Sequence, residues 1–464
     1  MDKNTETKKL KITFASGAST VTGANFLLET IPKEGEKAIR ILVDCGLEQG
    51  GRDADLNNRK PFAYDPSTVD YLFVTHAHID HIGRIPLLVK EGFQGKIFST
   101  VETHKITPIM LEDTMKVSAM NDNDLPPLYV EEDIKKAMSL WHEIPYDTCT
   151  ELQGGFQVCA KDAGHILGSV MYEFDYNGKK IVFTGDLGNS PTPLLRDTAV
   201  LHDANYLVME SVYGDRNHEP ASERRDKLEN VIEDACKRKG ALLIPCFSLE
   251  KTQVILHEIK HLMEEGRIPA VPVFLDSPLA IKLTDVYKQY SKGFNEEVKM
   301  EMRNGKNVFM FKGLTMVETA EESKKLNEIP NPKIIIAGSG MSNGGRIVHH
   351  EIRYLPDSQS TLLLIGYQSL GTLGRRIQNG EKQVRIMGQQ IQVKAKVVTI
   401  DGYSSHKDSD HLLRFVADTR DTLIKVFPVM GEPKASMYLA QKIRDNLAVE
   451  AHHPEPGESV VLDF

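Results

Sequence analysis

The segment Thr75-His76-Ala77-His78-Ile79-Asp80-His81 places three histidines and an aspartate within six residues. Imidazole and carboxylate suit zinc, and a catalytic zinc keeps one position open for water. His76 and His78 are two apart just past an apolar run, so in extended backbone both side chains point the same way. Asp80 and His81 fall on the turn into the next helix and can face a second metal. Two metals about 3.5–4 Å apart can clamp the attacking and leaving oxygens of a displacement at phosphorus. Further residues of ligand type lie at other strand ends: Asp44, His165, Asp186, and His406 in Tyr403-Ser404-Ser405-His406-Lys407-Asp408. Surface histidines on a polar loop would not recur in this way.

The elements that must position these groups read as strands alternating with short helices. Apolar runs at 10–15, 38–43, 71–75, 180–184 and 206–209 end at Gly, Asp, His or Glu, as buried strands do. A helix is expected over 84–89. The polar stretch 112–141, with Pro126-Pro127, reads as helices around a surface loop, and Trp141 as a core residue. From 222 onward helix and strand periods alternate: helices at 222–239 and 251–264, strands at 241–245, 271–275, 333–337 and 361–365. This central block reads as a separate α/β domain with a largely parallel sheet. A strand at 394–400 returns to the loop carrying His406, and helices at 410–417 and 434–446 follow.

Composition narrows the classes. A chain of 464 residues has length for about two to four domains. Its 41% hydrophobic and 26% charged residues exclude disorder as the main state. No apolar run approaches the roughly 20 residues that span a bilayer, and residues 1–9 lack the apolar core of a secretory signal. The net charge of −9 argues against non-specific coating of nucleic acid, while leaving room for a local basic groove. Five widely spaced cysteines, none in a C-x-x-C pair, argue against a disulfide framework or a thiolate zinc site, and for a reducing cytoplasm.

These motifs resemble those of the metallo-β-lactamase-fold hydrolases, and within them the β-CASP group of RNA-processing nucleases, most closely its compact bacterial and archaeal members. The resemblance runs from the first strand to about Leu447. It implies an αββα sandwich with an inserted α/β domain: residues 1–209 and 396–464 forming the metallo-β-lactamase domain, and 210–395 the β-CASP domain. It also implies that His76, His78 and His165 hold one zinc, that Asp80, His81 and His406 hold another, that Asp186 bridges them, and that Asp44 buttresses the site. Glu210 in Met209-Glu210-Ser211 matches the group's acidic motif, and Leu275-Asp276-Ser277-Pro278 its Asp-Ser-Pro segment. Gly338-Ser339-Gly340-Met341 and Gly366-Tyr367-Gln368 match its Gly-rich loops. A histidine at the position of His406 goes with RNA-cleaving members.

One position departs from the group. Where the eukaryotic endonuclease has a histidine thought to be the general acid, this chain has Arg376. Arginine cannot donate a proton at neutral pH, but its fork of donors can hold phosphate or pair with Glu210. The leaving-group proton then needs another source, with His349 and His350 as candidates. Backbone amides of the loop 338–345 can cradle a phosphate, or the loop can be a plain connection. Arg346, Arg353, Arg375, Arg376, Lys382, Arg385, Lys394 and Lys396 would track RNA if half of them lined the cleft between domains. His257-Glu258-Ile259-Lys260-His261 matches the zinc-protease pattern. It is expected instead to be an amphipathic helix with two histidines on its exposed face and no third ligand nearby.

The expected activity is zinc-dependent hydrolysis of single-stranded RNA. Asp80, Asp44, Glu210 and His406 are the expected catalytic groups, and Ser339, Gly340, Met341, Arg375 and Arg376 the expected substrate contacts. The chain ends soon after its last helix, without the extra C-terminal domain of RNase J-like enzymes, which favours endonuclease over 5′-exonuclease. A thioester or lactam hydrolase and a non-catalytic scaffold are the alternatives of other classes. No membrane partner is expected, and homodimerisation stays open.

Overall fold

The strand Lys9–Ser16 alternates buried Leu10, Ile12 and Phe14 with more exposed Lys9, Lys11 and Thr13. Its apolar face therefore meets a core on one side only. In the computed structural model, which describes residues 8–33, 35–50, 53–120 and 126–464, that core lies between two seven-stranded sheets. The first sheet runs Ser459–Asp463, Lys9–Ser16, Asn25–Thr30, Arg40–Val43, Tyr71–Phe73, Lys96–Ser99, Trp141–Glu143. The second runs Glu450–Ala451, Lys425–Val429, Tyr206–Glu210, Lys179–Phe183, Val170–Tyr176, Phe156–Asp162, Cys149–Glu151. Aromatic rings from both fill the space between them, among them Phe14, Phe26, Phe73, Phe156, Phe174, Phe183 and Phe427. Full burial of each is worth about 1.5–3 kcal/mol.

The outer faces are covered by helices. On the second sheet, Leu412 and Val416 of Ser409–Ala417 and Leu439 and Ile443 of Pro433–Leu447 pack on Val182, Leu207 and Val426. On the first, Ile85 and Leu88 of Ile85–Lys90 pack on Leu42, Leu72 and Ile97. The result is the αββα sandwich expected from the sequence.

The inserted body is a six-stranded, wholly parallel sheet in the order Leu314–Met316, Val273–Asp276, Lys333–Ala337, Ala241–Pro245, Thr361–Leu364, Lys396–Thr399. Its central strands are buried along their whole length, which is why they read as unbroken apolar runs. Lys396–Thr399, expected to return to the outer domain, instead pairs in parallel with Thr361–Leu364 at the edge of this sheet. A boundary at 395/396 thus falls just before the last strand of the inserted sheet.

Two further differences concern local chemistry. Cys149 and Cys159 form a disulfide, against the expectation from cysteine spacing, because antiparallel pairing sets them directly opposite each other on neighbouring strands. The helix expected over 84–89 is found at Ile85–Lys90, and a short helix Ile79–Ile82 that carries Asp80 and His81 precedes it. The loop expected within 112–141 includes 121–125, outside the described residues, as are residues 1–7. Trp141 is buried and donates from Nε1 to Ser99 Oγ at 2.7 Å. Among the described residues no helix is long and apolar enough to cross a membrane.

Candidate metal centre

The motif turn is held from the neighbouring strand end. Asp44, just past Arg40–Val43, adopts φ +59° and turns its carboxylate back toward the motif. Oδ1 accepts the Thr75 N–H, and Oδ2 accepts the Thr75 hydroxyl and lies 2.8 Å from His81 Nδ1. The next residues are zipped to the turn by Cys45 N–H to His81 O and Leu47 N–H to Ile79 O. Between them sits Gly46, where a Cβ would lie 1.6 Å from the carbonyl oxygen of Asp80. Only glycine allows this approach.

Four ligand atoms converge at the strand ends. His76 Nε2 lies 3.1 Å from His78 Nδ1 and 3.4 Å from Asp186 Oδ2. His165 Nε2 lies 3.2 Å from the same His78 nitrogen and 3.4 Å from the same Asp186 oxygen. Zinc–nitrogen bonds of 2.0–2.1 Å in a tetrahedron set neighbouring ligand atoms about 3.3 Å apart. The remaining nitrogens are turned outward: His165 Nδ1 meets Ser405 O at 3.0 Å, and His76 Nδ1 meets Thr75 Oγ1 at 3.0 Å.

A second group is looser. His81 Nε2 lies 3.4 Å from Asp186 Oδ1 and 3.9 Å from Asp80 Oδ2. His81 Nε2 and Asp186 Oδ1 are both buried with no hydrogen-bond partner. Two orphaned polar atoms aimed at one point are what a missing cation leaves. His406 turns Nδ1 to Glu210, 3.2 Å from each carboxylate oxygen, and lies 3.9 Å from Asp186 Oδ2. Glu210 Oε1 also accepts the Leu187 N–H at 2.5 Å.

Protonation points the same way. Burial pushes His76, His78 and His165 below the usual imidazole range, which favours the neutral, ligating form. Burial also pushes His81 down, but the carboxylates of Asp186 and Asp44 outweigh it and its net shift is strongly upward. Asp186 is the mirror case, with burial overcome by His81 and His76 and the carboxyl held well below its usual range. The shared cause is a point in the site that favours positive charge. Burial raises Asp80 to about 6 and also raises Glu210, which the neighbouring His406 partly offsets.

The cluster floors a cleft of about 170 Å³ between the sandwich and the inserted body. Its lining includes His78, Asp80, Asp186 and His406 from below and Phe247, Lys251, Met341 and Tyr367 from above. Met341 is therefore in the cleft. Gly340 packs under Phe247, where a Cβ would come within 2.5 Å of the ring, and Ser339 Oγ accepts the Asn343 N–H. Arg375 and Arg376 are not among the lining residues. Arg376 is an exposed bidentate partner of Glu381, at 2.7 and 2.5 Å, and does not reach Glu210. Arg375 donates to Gln368 O. None of the eight basic residues expected to track RNA lines the cleft; Arg346 is held by Asp276 at 2.6 Å and Lys396 by Asp234 at 3.1 Å.

The Asp-Ser-Pro segment is structural. Asp276 is buried and also bonds Ser323 and His350, which ties His350 up as a proton source, and Ser277 caps the helix Pro278–Gln289. Lys251 and Phe247 escaped the sequence reading. They follow the strand Ala241–Pro245, and their only signal was a position after a strand end. Lys251 donates to Tyr403 O, and burial lowers its pKa to about 7.

Three family descriptions match successive stretches of the chain. They are a metallo-beta-lactamase superfamily domain over 34–213, a Beta-Casp domain over 252–377, and a Zn-dependent metallo-hydrolase RNA specificity domain over 390–454. Ribonuclease TTHA0252 of Thermus thermophilus is 37% identical over 374 residues, covering 81% of this chain and 84% of that protein. Transcription termination factor FttA of Methanosarcina mazei is 31% identical over 472 residues, 98% of this chain and 72% of that one. A crystal structure of a protein of unknown function from Enterococcus faecalis V583 aligns over 98% of this chain and 100% of its own, with TM-score 0.56 at 15% identity, a likeness of fold alone.

Proposed function

Because the chain belongs to the metallo-β-lactamase superfamily, in the branch with β-CASP and RNA-specificity domains, and is a zinc-dependent metallo-hydrolase of RNA, we propose that it cuts single-stranded RNA endonucleolytically with two zinc ions. The observation that carries this reading is the convergence of His76, His78, His165 and Asp186 on the floor of the cleft, with edges of 3.1–3.4 Å. Those four residues would hold one ion. His81, Asp80 and His406 would hold the other, with Asp186 shared. Zinc there supplies a Lewis acid that activates water near neutral pH and withdraws charge from phosphoryl oxygens.

The chain's own groups do the rest. Asp44 fixes the His81 ring so that Nε2 faces Asp186. Glu210 holds the His406 ring through Nδ1 and can take up a proton at its carboxylate. Asp80, at the cleft surface, orients the attacking water. Lys251 is the one lysine or arginine among the described residues of the cleft lining, so it and the metal site are the groups placed to meet phosphate there. Phe247, Met341 and Tyr367 offer flat apolar walls on which bases can stack.

The test is cleavage of a 5′-labelled single-stranded RNA by zinc-loaded protein beside Asp80→Ala, on a denaturing gel. Internal fragments from wild type alone are expected. A lone labelled mononucleotide would replace the endonuclease reading with a 5′-exonuclease. Intact RNA in both lanes would overturn the ribonuclease reading in favour of a small-molecule hydrolase or a scaffold.

A further inference from the structure

The helix Lys251–Glu264 carries His257 and His261 one turn apart, so they share a face. That face is largely buried, contrary to the expectation of an exposed face with no third ligand nearby. His257 is buried, and the face is closed by the helix Glu296–Arg303, which brings Glu301 against both rings. His257 Nε2 and His261 Nε2 are 3.1 Å apart. Glu301 Oε1 lies 2.9 Å from the second and 3.6 Å from the first. The three edges bracket the separation of about 3.3 Å that neighbouring ligands of a tetrahedral zinc adopt.

We propose that His257, His261 and Glu301 form a metal site in the inserted body, separate from the catalytic cluster, that takes one divalent first-row transition ion such as zinc. The ligand set, two imidazoles and a carboxylate, selects that class over calcium or magnesium, which prefer oxygen ligands. The charges around it are arranged for a carboxylate ligand. Lys260 Nζ lies 3.1 Å from Glu301 Oε2 and 3.5 Å from Glu264, which leaves Oε1 for the ion. Glu265 stands 3.9 Å from His261 Nδ1, a nearby negative charge beyond hydrogen-bond reach. The side chains are 6%, 17% and 11% exposed for His257, His261 and Glu301, so an ion can enter yet is largely shielded.

The site holds the two helices together and does no peptidase chemistry. The glutamate that such chemistry needs, Glu258, is buried and held by Arg225 at 2.9 Å.

The test counts bound zinc by elemental analysis of the full chain after zinc loading and desalting. The starting point is a His76→Ala/His81→Ala/Asp186→Ala protein, in which both ions of the catalytic cluster lose ligands. One equivalent should remain there and fall to background on adding His261→Ala or, separately, Glu301→Gln. In the otherwise wild-type chain, the same two substitutions should each remove one equivalent while RNA cleavage stays within twofold. His261→Asn serves if the alanine variant fails to fold. Equal zinc content with and without these substitutions, in folded protein, would overturn the site and leave a proton shared between two histidines.

Discussion

Glu351 lies fully buried on the helix Ile347–Tyr354, where Ser342 donates a 2.5 Å hydrogen bond to Oε1 and Oε2 has no partner. Burial raises its pKa to about 8, against 4.5 for the free side chain. A folded-state pKa above the unfolded one means that the folded state binds the extra proton. This group's contribution is complete below about pH 4.5 and is lost as pH rises toward 8. Glu351→Gln keeps a neutral partner for Ser342 and removes the titration. Its melting temperature relative to wild type should therefore climb from pH 5 to pH 8, by the equivalent of about 3.5 kcal/mol at most. A difference that stays flat across that range would refute the buried acid. Ser342 adjoins Met341 of the cleft wall, so ionising Glu351 strains the loop that shapes the cleft. The metal ligands, by contrast, were legible residue by residue. Three histidines and an aspartate in one turn, with Asp186 and His165 at other strand ends, have few readings other than a metal site. What spacing could not give was which nitrogen of each ring faces inward. Partners such as Thr75, Ser405 and Asp44 decide that, and they come from other strands.

At the scale of elements, the segment after Arg40–Val43 and the motif turn are one unit, closed at Gly46. A methyl group there meets the Asp80 carbonyl and must push the turn away from its neighbours. Gly46→Ala should lower RNA cleavage by about 100-fold, the scale of a 1 Å misplacement, and cost at least about 2 kcal/mol in a urea melt. Wild-type cleavage in that variant would show that the turn is free to shift. Most elements were readable because buried strands are apolar runs with polar ends, and Lys251–Glu264 keeps its predicted limits. Partnership between elements was not readable. The strand Lys396–Thr399 shows its apolar period but not its sheet. Arg376 shows its charge but not that Glu381, five residues on, would take it. Cys149 and Cys159 show no motif because strand register brings them together. His257 and His261 looked exposed because the helix that covers them lies about 40 residues later in the chain.

The whole molecule is two bodies joined across the cleft, and Tyr287 is one of the joints. Its hydroxyl accepts the Leu167 N–H at 3.2 Å from the sandwich and donates to Glu250 Oε2 at 2.6 Å within the inserted body. Beside it, Leu195 of the sandwich bridges Phe294 of the inserted body. Tyr287→Phe leaves the Leu167 amide and the buried Glu250 without their partner. It should cost about 1–3 kcal/mol of stability. It should also raise KM for RNA several-fold with little change in kcat, since the metal ligands are untouched. Unchanged melting and KM would show that the joint does not set the cleft.

The order of strands in the sheets also sets a schedule. All six strands of the inserted sheet come from one unbroken stretch of chain, complete once Lys396–Thr399 is made. Both sandwich sheets, in contrast, take strands from the far end: Lys425–Val429 lies beside Tyr206–Glu210, and Ser459–Asp463 beside Lys9–Ser16. As the chain leaves the ribosome, the inserted body can close early, while the half of the site carried by His76, His78 and His81 waits on an unfinished sandwich. His406 and the strand that braces Glu210 arrive only after the inserted sheet is complete. The metal centre is thus completed only after the inserted body that roofs it.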